Sequence, residues 1–421
     1  MYKVNMSVSY RHFKESTTRK NVEGGMALYT KGINRNVLKI LILLIALQDN
    51  GMGAATPALQ SISEAFPNAG YQLISMIVTL PALMLAIMPI FYPKLVQLFK
   101  KRWILIITAV LFLVGGVGPA FINSNIFIIL LLRLLVGVAC GIFMPLCIDL
   151  IVDFFEGNER AKMVGWSSTF TGFGGILFQT LGGYLASYHW SYCFFAYLVA
   201  VIFLLFPVIF LPEPMREKKL ANRKVENQNI THQKVKTPFS VWITGFFLCL
   251  FWLFAYVIIT NASTVLITEG IAAQSQVGLI FSFMTLGTVI SSAFFGKLLE
   301  KMGYIILPLA MMVAAVSMFT AFMARSIGSF IVAMFLLGFS SGIVTPGIME
   351  RNTSLVRYEG ATKAVSVSYL FLGIGSFISP YIFNNIGLDA RGQMWLTAIL
   401  FVATAVFLFI VNRRIDVKRD I

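Results

Sequence analysis

Two ionisable side chains interrupt long apolar stretches and are the first candidates for chemistry. Asp49 lies roughly twelve residues into the stretch 37–59, and Arg133 roughly eight into the stretch 125–148. If consecutive stretches cross a bilayer in alternate directions, a helical rise of about 1.5 Å per residue puts both at similar depth. A charge there costs about 2.5–3.5 kcal/mol on insertion scales, which makes each a candidate for function. A carboxylate whose surroundings alternate between apolar and aqueous takes up and releases a proton, and a neighbouring guanidinium tunes that exchange. Asp49 and Arg133 are therefore candidates to couple a proton wherever their two helices face each other; the plainer reading is a static ion pair orienting two helices. Gln48 and Asn50 flank the carboxylate, and Asn261 is another polar group in an apolar stretch. With Met84, Trp252 and Tyr256 they form a weaker set that could line a substrate cavity, since thioethers adapt in shape and aromatic faces attract cations.

The elements that must position these groups follow from composition. The chain has 421 residues, 58% hydrophobic and 12% charged, with a mean hydropathy of +0.81, too little polar surface for a soluble protein of this size. A dozen apolar stretches, from 37–59 to 392–411, are each long enough to span hydrocarbon. The net charge of +15 does not point to nucleic acid, because of where the charge sits. On a twelve-span count, 29 of the 33 Lys and Arg residues fall in the two tails, the central loop and the other even-numbered loops. Only Arg325 and Arg391 fall on the opposite side, and Lys39 and Arg133 lie within stretches. By the positive-inside rule both termini are cytoplasmic, and the expected location is the plasma membrane, crossed many times.

The chain is expected to divide into a basic cytoplasmic tail (1–36), a first bundle (37–212), a cytoplasmic linker (213–238), a second bundle (239–411) and a short tail (412–421). The two bundles repeat each other. Gly137-x-x-x-Gly141-x-x-x-Pro145 followed by Asp149 recurs 201 positions later as Gly338-x-x-x-Gly342-x-x-x-Pro346 followed by Glu350. Gly174 has its counterpart in Gly375, after which comes Pro380, and Pro93–Gln97 is echoed by Gly296–Glu300. Glycines four apart let helices approach closely in lipid, so these positions are expected to mark close crossings and smooth rocking surfaces. Parallel repeats of six spans are related by an axis along the membrane normal.

These residues resemble the major facilitator superfamily. The family's loop G-x-L-x-D-R-x-G-R/K is approached by Gly296-Lys297-Leu298-Leu299-Glu300-Lys301-Met302-Gly303, and more distantly by the segment beginning Pro93-Lys94. Its R-x-x-x-G-x-x-x-G helix resembles Arg133-x-x-x-Gly137-x-x-x-Gly141. The resemblance implies an all-α membrane protein of twelve transmembrane helices in two pseudo-symmetric six-helix bundles. It also implies that the first and fourth spans face a central cavity, and that Lys94, Asp149, Gly296, Lys297, Glu300, Lys301 and Glu350 form a charge network latching the cytoplasmic side. Ordinary helix-end electrostatics is the plainer reading of those charges. The drug/proton antiporter branch carries G-x-x-x-G-P-x-x-G-G on span five; here Gly174 and Gly182-Gly183 are kept, and Phe178-Gln179 replace the Gly-Pro pair.

The expected activity is proton-coupled efflux of small lipophilic or amphipathic compounds by alternating access. A proton symporter for an organic anion, with Arg133 as anion ligand, is the first alternative; a non-transporting receptor on the same fold is the second. No enzyme is expected: His12, His189 and His232 fall in tails or loops, no phosphate-binding Gly-rich loop or nucleophile elbow occurs, and Cys140, Cys147, Cys193 and Cys249 lack metal-ligand spacing. The expected partners are a small-molecule substrate, the lipid bilayer and H⁺, with no cofactor beyond the proton gradient, no metal, no nucleic acid, and a monomeric chain.

Overall fold

The computed structural model describes residues 34–213, 238–356 and 361–417, and every regular element among them is helical. The expected N-terminal tail and central linker, apart from their edge residues, lie outside the described residues. Ten segments are long and apolar enough to cross a membrane. The twelve expected stretches map onto these with two differences. Gln274–Met323 is one segment by that measure although it contains two helices turning at Gly303, whose φ of +59° suits glycine. The helix Gly157–Ala186, which opens on Glu159, Arg160 and Lys162, is not among the ten.

In chain order the helices are α1 (Arg35–Ala46), α2 (Leu59–Ala65), α3 (Tyr71–Leu98), α4 (Lys101–Phe121), α5 (Ile126–Phe154), α6 (Gly157–Ala186) and α7 (Val199–Phe210). After the undescribed linker come α8 (Phe239–Thr268), α9 (Gln274–Met302), α10 (Ile306–Met323), α11 (Ile327–Ser354), α12 (Ala361–Phe383) and α13 (Ala390–Val417). Two stretches are wound as 3-10 helix, Gly51–Ala58 between α1 and α2, and Trp190–Leu198 leading into α7. Pro145, Pro346 and Pro380 lie inside helices that continue past them.

The repeated glycines meet equivalent helices in the two halves. A Cβ on Gly137 would come within 2.5 Å of the Pro81 backbone and one on Gly141 within 2.7 Å of Met88, so α5 presses on α3. In the second half a Cβ on Gly338 would overlap the Met284 carbonyl, and one on Gly342 would lie 2.5 Å from the Thr288 carbonyl, so α11 presses on α9. Gly174 and Gly375 do the same for the first helix of each half, their missing Cβ atoms leaving room for the carbonyls of Leu47 and Cys249. With no hydrophobic force between helices in lipid, this contact of bare backbone supplies dispersion and packing.

The halves adjoin along two seams, α6 with α9 and α3 with α12. The first is polar: Thr180 and Ser282 share a hydrogen bond of 2.8 Å, the Thr285 hydroxyl donates to Gln179 at 3.2 Å, and Gly183 faces the Gly278 backbone. The second is soft and apolar, with the Tyr381 hydroxyl on the Met76 sulfur at 3.0 Å and Gly373 against Ala86. One end of the bundle carries Lys94, Lys100, Lys297 and Lys301, all exposed; we term it the basic end.

Candidate functional site

The first apolar stretch does not form one helix. Its residues Gly51-Met-Gly-Ala-Ala-Thr-Pro57-Ala58 combine two glycines, small side chains and a proline without an N–H, and they wind as 3-10 helix after a turn at Leu47–Asn50. That break leaves main-chain carbonyls without α-helical donors, and side chains from other helices take them. The Cys140 thiol donates to Gln48 O at 3.7 Å, the Thr171 hydroxyl to Ala46 O at 3.0 Å, and Arg133 Nη2 to Met52 O at 2.5 Å. The small residues are needed for proximity: a Cβ on Gly51 would strike Phe112 and one on Gly53 would crowd Gln179.

Arg133 is fully buried and commits its guanidinium to three elements. Besides Met52 O, it donates through Nε to Ile77 O at 2.9 Å and through Nη1 to the Tyr197 hydroxyl at 2.5 Å, with its plane 5.7 Å from the Tyr197 ring centre. The expected Asp49–Arg133 pair is therefore corrected. Arg133 serves the carbonyls exposed by the break, a demand the continuous helix inferred from 37–59 did not contain.

Asp49 sits in the turn between α1 and the 3-10 stretch, and its buried Oδ1 has no hydrogen-bond partner. It lies within electrostatic range of Cys140 and Cys147 on α5 and of Tyr369 on α12, in the other half. The Tyr369 hydroxyl in turn points to the Met144 sulfur at 3.4 Å. The carboxylate thus has two thiols from its own half and a phenol from the other within electrostatic range.

The weaker cavity set divides. Asn50 packs its amide against Gly175 and Thr285, where the halves adjoin. Trp252 Nε1 donates to Thr345 at 3.3 Å and its ring lies 5.9 Å from that of Tyr256, whose hydroxyl bonds Ser376. Met84 backs onto Gly137. Gln48 and Asn261 do not belong to a cavity wall. Gln48 is fully buried with its amide on Leu44 O at 3.3 Å, and Asn261 is spent on Val257 O at 2.9 Å and Gln393 at 3.0 Å, joining α8 to α13.

Of the charges expected to latch the basic end, Asp149 and Glu350 have partners within their own halves. Asp149 receives the Lys101 ammonium at 2.6 Å and the Tyr92 hydroxyl at 3.1 Å, and Lys101 also binds Asp153. Glu350 receives the Tyr304 hydroxyl at 2.6 Å, and Arg351 stacks 4.2 Å above the Tyr304 ring centre. Lys94, Gly296, Lys297, Glu300 and Lys301 are exposed, and a Cβ on Gly296 would meet nothing within 4 Å. Lys101 and Tyr304 are 203 positions apart, the offset of Pro93 and Gly296, so the repeat itself could have located these partners.

The opposite end carries its own bonds. Ser263 Oγ and Gln274 Nε2 both donate to Pro57 O, at 2.8 and 2.9 Å, and the Tyr71 hydroxyl donates to Thr260 O at 2.7 Å. Gln72 reaches Asn385 at 2.8 Å. All of these cross between halves. At the same end Glu269, just past α8, takes both arms of Arg391 at 2.6 and 2.7 Å and Arg325 at 3.0 Å. The hydrogen bonds from Arg391 hold the Glu269 carboxyl below its ordinary range against the opposing effect of burial. Arg391 also caps the last carbonyls of α10, at Ala321, Phe322 and Ala324. In the sequence Arg325 and Arg391 registered only as the two basic residues on the wrong side.

Comparison with known proteins agrees with this architecture. The family model described as Major Facilitator Superfamily matches residues 41–380. Quinolone resistance protein NorA of Staphylococcus aureus is 27% identical over 215 residues, 51% of this chain and 53% of NorA, so the match spans about half of that relative. The multi-drug resistance efflux pump PmrA homolog of Lactococcus lactis is 22% identical over 357 residues, 82% of this chain and 86% of the pump. A crystal structure of a D-xylose–proton symporter superposes with a TM-score of 0.68 at 20% identity over 88% of this chain and 95% of the symporter, a likeness of fold.

Proposed function

Since the chain belongs to the Major Facilitator Superfamily, and is thus a multi-pass membrane transporter of small molecules rather than an enzyme, we propose that it exports lipophilic or amphipathic compounds in exchange for protons. The observation that carries this reading is Asp49, a carboxylate at a helix break whose buried Oδ1 has no hydrogen-bond partner and whose surroundings come from both halves. A carboxylate is the costliest of groups to leave so, and one with walls from both halves is suited to exchange a proton as they move. The names of the two relatives, a quinolone resistance protein and a multi-drug resistance efflux pump, support the direction.

In this reading the chain crosses the plasma membrane twelve times with the basic end cytoplasmic. Asp49 binds a proton when the cavity opens outward and gives it up when the cavity opens inward. A cationic or amphipathic substrate, held against Tyr369, Met144 and the Trp252–Tyr256 wall, competes for the carboxylate. The anion-symport alternative loses its ligand, because the Arg133 donors are already committed to Ile77 O, Met52 O and Tyr197.

The test uses inside-out vesicles energised to an acidic lumen and a pH-sensitive dye. Lipophilic cations should dequench the dye, and the response should vanish in Asp49→Asn. A response confined to organic anions or sugars would overturn the reading.

A further inference from the structure

The second half contains a natural control for the broken first stretch. Gly375 meets Cys249 O on α8 as Gly174 meets Leu47 O, yet α8 runs unbroken from Phe239 to Thr268. The fold does not need the 3-10 stretch, and a mid-helix 3-10 run of eight residues is longer than such runs usually are, which often marks a hinge. Its two ends do different things. At the start, Met52 O is held by Arg133 and Gln48 O by Cys140, both from the same half. At the finish, Pro57 O is held by Ser263 and Gln274, both from the other half, and Ser61 braces Gln274 at 2.9 Å. Asp49 lies just before the first end.

We propose that Gly51–Ala58 is a winding latch. In its 3-10 form it is long enough to present the Pro57 carbonyl to Ser263 and Gln274, and rewinding toward α-helix withdraws that carbonyl and opens the end opposite the basic one. The magnitudes suffice. Eight residues rise about 16 Å at 3-10 pitch and about 12 Å at α pitch, so rewinding shortens the stretch by about 4 Å. A hydrogen bond is gone well before that. Because Arg133 and Cys140 pin the start, the displacement appears at Pro57 and not at Asp49. The residue that exchanges the ion and the carbonyl that shuts the far end thus sit on one short segment. This inference rests on the transport reading, in that opening and closing must alternate, but not on the identity of the coupling ion.

The experiment measures the far end directly. Ser124→Cys and Gly328→Cys place spin labels on exposed positions of the two halves, in a background that keeps the fully buried Cys140 and lacks the other native cysteines, reconstituted in lipid nanodiscs. The unmodified latch should give one short distance by double electron–electron resonance. Ser263→Ala with Gln274→Leu removes both donors and should add a component several ångströms longer. Pro57→Ala keeps the carbonyl and both donors but restores an N–H for α winding, and should add the same component. Ser263→Ala alone, a milder change, should give a smaller share of it. Unchanged distances in the donor variants would overturn the latch, and an unchanged distance in Pro57→Ala alone would overturn the winding. If the dye assay fails while these distances shift, the proton reading falls and the latch stands.

Discussion

Arg133 donates to the Tyr197 hydroxyl at 2.5 Å, and through its other arm to Met52 O, so one buried guanidinium rivets the two 3-10 stretches of the first half together. Lysine at 133 cannot reproduce that fork. Arg133→Lys should lower stability by about 3 kcal/mol, whereas Tyr197→Phe, which loses a single charge-assisted bond, should cost about 1.5 kcal/mol. Melting temperatures of the purified variants should fall in that order, with transport retained in Tyr197→Phe.

Asp49→Asn separates folding from function. The buried Oδ1 makes no hydrogen bond, so the amide removes no native interaction and spares the burial of a charge. Its melting temperature should equal or exceed that of the unmodified protein while proton-coupled dye responses disappear. A clear loss of stability would mean that the carboxylate has a structural partner.

Glycine substitutions should sort by what faces them. A Cβ at Gly174 or Gly338 overlaps a backbone carbonyl, of Leu47 or Met284, that cannot rotate away. Gly174→Ala and Gly338→Ala should each cost about 1–3 kcal/mol, the usual penalty of overpacking. At Gly165, in α6, a Cβ meets nothing within 4 Å, and Gly165→Ala should leave the melting temperature unchanged or raise it slightly.

The Glu269–Arg391 joint gives a pH dependence of known sign. Hydrogen bonding from Arg391 depresses the Glu269 carboxyl from its ordinary value of 4.5. The joint's contribution is therefore whole above that value and is lost as pH falls through the depressed one. Glu269→Gln should melt below the unmodified protein at neutral pH, and the gap should close as pH falls below 4.5 and through the depressed value. Arg391→Ala, which also uncaps α10, should cost about 3 kcal/mol at neutral pH.

The sequence disclosed the repeat because glycine at a crossing has no substitute: Gly137, Gly141, Gly338 and Gly342 meet equivalent helices as their spacing implied. The Asp49–Arg133 pair failed for a reason that hydropathy cannot express. An average over 37–59 reads as one helix, but Gly51, Gly53 and Pro57 break it, and the released carbonyls claim Arg133 before the carboxylate does. Asn261 failed because a polar group facing inward looks the same in a sequence whether it meets a cavity or Gln393. The bonds at Pro57 were invisible, since they depend on a main-chain oxygen that carries no side-chain signature. Lys101 and Tyr304 were within reach, because they share the 203-residue offset of Pro93 and Gly296, two residues from the 201 that pairs Asp149 with Glu350.

The hydroxyl and glycine contacts between α6 and α9 fall in the second half of α6, from Gly172 to Gly183. The close glycine approaches run from Gly183 against Gly278, next to the end where Pro57 is held, to Gly172 against Val289. From Gly172 to the start of α6 there remain about fifteen residues, an arm of roughly 22 Å at the α-helical rise. Under the alternating-access reading, a turn of about 10° about Gly172 should swing that free tip by about 4 Å and Gly183, about 16 Å the other way, by about 3 Å. The neutral hydroxyls and amides beside Pro57 should then open that end by about as much as the basic end closes.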